Sequence, residues 1–91
     1  MEKMMKFEME ILNEYTYSEL FLTNEHLKKA LFYAKKLKEE SMYNGDLLGS
    51  VEIEKTILRI HENFESVELA MTNKEQSAFD DRFTLELISL N

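Results

Sequence analysis

Between Ile53 and Met71 the large apolar residues recur at alternating spacings of four and three: Ile53, Ile57, Ile60, Phe64, Val67 and Met71. That period keeps one stripe of a helix against a partner helix, so the segment reads as half of a helix–helix pair. The other half is predicted upstream, where Leu27, Ala30, Leu31, Ala34 and Leu37 share a face and the two alanines permit close approach. Thr16 and Glu19 stand at capping-box spacing, with Tyr15 and Leu20 placed as a hydrophobic staple, so this helix is predicted to begin at Tyr17. Thr23 offers a second start within the segment. Asn44 and Gly45 end it, because both residue types tolerate the left-handed backbone that closes helices. Asp46 to Ser50 is a short connection, with Ser50 as the expected N-cap of the heptad helix. Thr72 and Glu75 repeat the capping-box spacing and predict a brief third helix over residues 73–79.

The two ends of the chain follow a different period. Met5, Phe7, Met9 and Ile11 alternate with Lys6, Glu8 and Glu10, and Phe83, Leu85 and Leu87 alternate with Arg82, Thr84 and Glu86. Alternation is the mark of a half-buried strand. The predicted fold is therefore α+β: a helical hairpin of two long antiparallel helices packed on a pair of terminal antiparallel strands, in the order β-α-α-β, across a single domain of residues 1–91. The alternative is a small all-α bundle, since Met and Glu favour helices over strands.

Composition narrows the function classes. The 91 residues include no cysteine and no proline, and the net charge is −7. Absent cysteines remove disulfides and thiolate metal sites, and the N-terminus lacks the pattern of a signal peptide. Without an apolar stretch long enough to span a bilayer, no membrane association is expected, and a cytoplasmic location follows. Acidity argues against direct nucleic-acid binding, which needs clustered Lys and Arg. The charge is uneven: residues 24–45 hold five lysines and three glutamates, a local +2, which leaves −9 for the rest. The bias toward Lys, Glu, Asn, Leu and Ile resembles that of AT-rich bacterial or phage genomes.

Chemistry-bearing residues are few. His61 and Glu65 are one helical turn apart, with Glu62 and His26 as further donors, which falls short of the three or four converging ligands a metal needs. Glu39 with Glu40, and Asp80 with Asp81, are sequence neighbours that point apart and read as solvated surface. No Gly-rich phosphate loop or flanked nucleophile occurs. The expectation is a non-enzyme without metal or cofactor.

Two strips look made for contact instead. On the first helix Phe21 and Phe32 project away from the core face, among Lys28, Lys35 and Lys36, an aromatic anchor ringed by positive charge. The competing assignment packs Phe32 on the strands. On the second helix Val51, Leu58 and Leu69 form a strip well away from the heptad seam, interleaved with Glu54, Glu62 and Glu65. These features predict a small acidic interaction protein, foremost an inhibitor that occludes a basic surface on a larger macromolecule such as a nucleic-acid enzyme, as phage anti-host or anti-defence proteins and antitoxins do. One alternative is a homo-oligomeric adaptor or chaperone. Another is an oligomeric protein that sequesters a small anionic ligand. A homodimer or higher oligomer is expected in any case, because strand edges and double-faced helices invite pairing.

Overall fold

The computed structural model describes the backbone of residues 4–90 and the side chains of residues 4–78. Three helices follow in order: α1 over Met9–Leu12, α2 over Tyr17–Tyr43 and α3 over Leu47–Leu90. Local chemistry accounts for most of their boundaries. Thr16 Oγ1 accepts from the Glu19 backbone N–H at 3.2 Å while Glu19 Oε1 accepts from the Thr16 N–H at 2.9 Å, so the predicted capping box starts α2 at Tyr17. Tyr15 is partly buried against the core in which Leu20 is fully buried, as the staple requires. At the other end Asp46 N–H donates to Ser41 C=O and Gly45 N–H to Met42 C=O, the paired bonds of a Schellman motif. Gly45 carries φ of 77°, which a side chain would strain.

Several expectations at boundaries are corrected. The cap of α3 is Asp46, whose Oδ1 accepts from Gly49 N–H at 2.9 Å; Ser50 lies inside the first turn, buried, donating its own N–H to Asp46 C=O. An aspartate placed beside the Schellman turn reaches its N3 position directly, so the helix begins four residues earlier than a Ser50 cap would allow. Thr23 starts nothing: it sits within α2 and its hydroxyl donates to Glu19 C=O. The third helix expected over 73–79 is a continuation of α3, and Glu75 is used elsewhere, accepting from Tyr17 Oη at 2.8 Å.

The predicted sheet is overturned: among the described residues there is no strand. Residues Arg82 to Leu87 continue α3. The same segment also carries a helical period in Phe79, Phe83, Leu87 and Leu90, and with no strand to pair with, a helix satisfies its backbone internally. At the N-terminus, residues 4–8 form an arm outside any regular element that enters α1 through an extended Glu8, so Met5 and Phe7 belong to no strand and Met9 and Ile11 are helical. The arm's backbone pairs with a side chain instead of a strand. Phe7 N–H donates to Asn63 Oδ1 at 2.8 Å, and Asn63 Nδ2 donates to Met5 C=O at 2.9 Å. One carboxamide thus offers the donor and acceptor that a residue of a neighbouring strand would. The all-helical alternative describes the architecture.

The α2–α3 hairpin is antiparallel, closed by a three-residue turn at Asn44–Asp46 and tied at its far end by the Tyr17–Glu75 hydrogen bond. Leu20, Leu27 and Ala34, seven residues apart, meet Ile57, Ile60 and Val67 in the core, with Leu12 of α1 added. The predicted seam is present: Ile57, Ile60 and Val67 are buried, and Ile53, Phe64 and Met71 pack against them half-buried. Asn63 and Ala70 are also fully buried. They shift the buried stripe toward one flank, where the arm lies along α3. The molecule measures 70 × 19 × 14 Å because α3 is longer than α2 and continues about 22 Å past the start of α2.

Candidate functional site

The outer surfaces of the two long helices carry the side chains singled out by sequence. On α2, Phe21 and Phe32 are exposed, Phe32 to 65%, which overturns its packing on strands. The Lys36 ammonium stands 5.0 Å from the centre of the Phe32 ring, a cation–π contact in an open setting. Lys28 pairs with Glu25 at 3.0 Å on the same helix, and Lys35 is exposed one turn beyond Phe32. At about 100° per residue Phe21, Lys28, Phe32 and Lys35 fall on one flank of α2, with Lys36 further round, on the side away from α3.

On α3, Val51, Leu58 and Leu69 are each more than half exposed. They project opposite the buried seam, on one line with Glu62 and Glu65 and about 27 Å long from end to end. Glu62 is held by Arg59 at 3.1 Å, and Lys55 by Glu52 at 3.2 Å. Glu54 departs from this strip: it turns to the flank and forms an ion pair with Lys38 across the hairpin. The structure therefore groups Val51, Leu58, Glu62, Glu65 and Leu69 and sets Glu54 apart from them.

Two features escaped sequence reasoning. Asn63 directly precedes Phe64 and stands three residues after Ile60, so the available signal was a polar residue at helical spacing from the seam. The turn of the hairpin is also apolar, with Met42, Tyr43, Leu47 and Leu48 all exposed around Gly45. Beside it, a groove of about 610 Å³ runs between Leu37 and Ser41 on α2 and Gly49 and Ile53 on α3, reaching Met4 of the arm. A smaller recess of about 270 Å³ lies at the arm, lined by Phe7, Ile11, Leu12, Tyr15 and Thr23.

Groups with perturbed acidity belong to the scaffold. The Glu75 carboxylate accepting from Tyr17 Oη raises the phenol above its ordinary pKa, and the Thr16 backbone N–H holds Glu19 below the usual carboxylate range. Neither sits in a cleft. His61 is exposed with its ring 6.4 Å from that of Phe64, and His26 is exposed on α2. Among the described residues no three His, Asp or Glu side chains converge as a metal site would need. Glu39 and Glu40 are exposed, while the side chains of Asp80 and Asp81 lie outside the described residues. No described helix is long and apolar enough to cross a membrane. No protein-family model matches the chain, and neither a curated protein nor a solved structure matches it.

Proposed function

We propose that this protein is a non-catalytic helical-hairpin binder whose outer α3 face seats on a basic surface of a larger protein and occludes it. A cytoplasmic setting, and a role as an inhibitor or antitoxin of a nucleic-acid enzyme, fit that chemistry. The observation that carries the reading is the exposed line of Val51, Leu58 and Leu69 interleaved with Glu62 and Glu65. Three apolar side chains at helical spacing fill successive pockets of a groove, and the carboxylates between them select lysine and arginine on its rim. The surrounding acidity, −9 outside residues 24–45, would draw a basic partner in.

The test is capture of the partner from cells that express the tagged protein, at low and at high salt. A basic protein retained at low salt and weakened as salt rises is the expected result. Leu58→Ala and Leu69→Ala should each cost about 2 kcal/mol or more of binding, the scale of an interface hot spot, with unchanged melting curves. Undiminished capture by the double variant would remove the α3 strip as the functional surface.

A further inference from the structure

We infer that the face of the hairpin opposite the N-terminal arm is an interface with a second copy of this chain, stacked so that α2 of each copy lies over α3 of the other. In an antiparallel pair, equal rotations away from the shared seam fall on the same side of the hairpin. At about 100° per residue, Thr23 on α2 and Asn63 and Ala70 on α3 turn to one side. That is the side of the arm, which Asn63 holds and whose recess Thr23 lines. Asn24, Lys28, Leu31 and Lys35 on α2, and Phe64 and Glu68 on α3, turn to the other. There Leu31 and Phe64 are left half-buried, and the Asn24 side-chain oxygen is buried without a hydrogen-bond partner.

The open face is large enough to seat a second copy. The paired part of the hairpin is about 40 Å long and 14 to 19 Å across, a footprint of about 600–800 Å², close to what one partner buries in a standard interface.

Charge decides both the occupant and the orientation. The cross-hairpin ties Tyr17–Glu75 and Lys38–Glu54 put residue 28 level with residue 64 and residue 35 level with residue 57. A twofold axis parallel to the hairpin sets α2 over the partner's α3 at the same levels. Lys28 then meets Glu68 of the partner subunit, and Lys35 meets Glu54 of the partner subunit. A twofold axis across the hairpin would instead stack lysines on lysines and glutamates on glutamates. The face is thus complementary to itself in one arrangement, as a closed isologous dimer requires. The outer strip of Val51, Leu58 and Leu69 remains on the rim, open to another partner.

Light scattering and sedimentation from micromolar to millimolar concentration should give twice the 10.8 kDa chain mass. Lys28→Glu with Lys35→Glu should give a folded monomer, as should Glu54→Lys with Glu68→Lys, and mixing the two double variants should restore a dimer. Because the chain has no cysteine, a second readout is clean. Lys28→Cys mixed with Glu68→Cys should oxidise to a mixed disulfide, and Lys28→Cys alone should not cross-link. A monomeric mass for the native chain throughout would overturn the inference. So would a dimer that survives both charge reversals, or efficient cross-linking of Lys28→Cys to itself. A dimer broken by Leu58→Glu but not by the lysine reversals would place the outer strip between copies, refuting this face and the proposed heterologous use of the strip together.

Discussion

Asn63 and Phe64 are neighbours in sequence and face opposite flanks of the same seam. Asn63 is fully buried because the arm crosses it and takes both hydrogen bonds of its carboxamide. Phe64, a far better hydrophobe, is left half-buried because no chain segment crosses its flank. Burial along this hairpin is therefore set by what lies over a residue more than by how apolar it is. Around Asn63 one flank is covered within the chain by the arm, and the other is the surface through which a second copy would complete it.

Ile60 stands on the centre line between the two flanks and is fully buried, so it sets the scale. Ile60→Ala should cost about 2–5 kcal/mol of folding free energy, read from urea melts, whichever flank is covered. A smaller loss would mean that the hairpin core collapses around the cavity. Asn63→Ala comes next, at about 1–3 kcal/mol, since it removes the partner of the Phe7 N–H and of the Met5 C=O, both in part-buried hydrogen bonds. The arm should then become the first point of proteolytic attack; an arm that stays protected would show that its apolar contacts, and not the carboxamide, hold it.

Phe64→Ala sharpens the contrast. For a half-buried aromatic in an isolated hairpin the loss should be about 1–2 kcal/mol, well below that of a core phenylalanine. In a dimer the loss should grow with protein concentration as the open flank fills. A melting difference that is large and independent of concentration would mean that Phe64 is covered within one chain, and the two flanks would no longer differ. Smallest is the helix start, remote from both flanks, where Thr16→Ala should cost about 1 kcal/mol. Its partner Glu19 carries a lowered pKa in the fold, so its contribution is present above the unfolded value and is lost as pH falls through the folded one. The gap between native and Glu19→Ala melting temperatures should narrow in acid.

The start and end of α2 were legible because each depends on residues within a few positions: Thr16 with Glu19, and Asn44 with Gly45. The seam of α3 was legible for a similar reason, since its period is a local property. The terminal strands were not. Alternation in Met5 and Phe7 signals extended backbone, but whether that backbone pairs with a strand or with Asn63 depends on a residue 56 positions away. The site was legible as composition, in Phe32 among lysines and Leu58 among glutamates. Which of these side chains share a surface was not, and Glu54 turns out to reach across the hairpin to Lys38.

By itself the sequence determined where helices begin and turn, which faces are apolar and how charge is distributed, because short-range hydrogen bonding and periodicity decide those. Only the tertiary structure decided that the arm lies on one flank, that α3 continues past its partner and that Asn63 is the fastening. Each of these depends on which distant groups meet, and on the cost of leaving a backbone donor or acceptor without one.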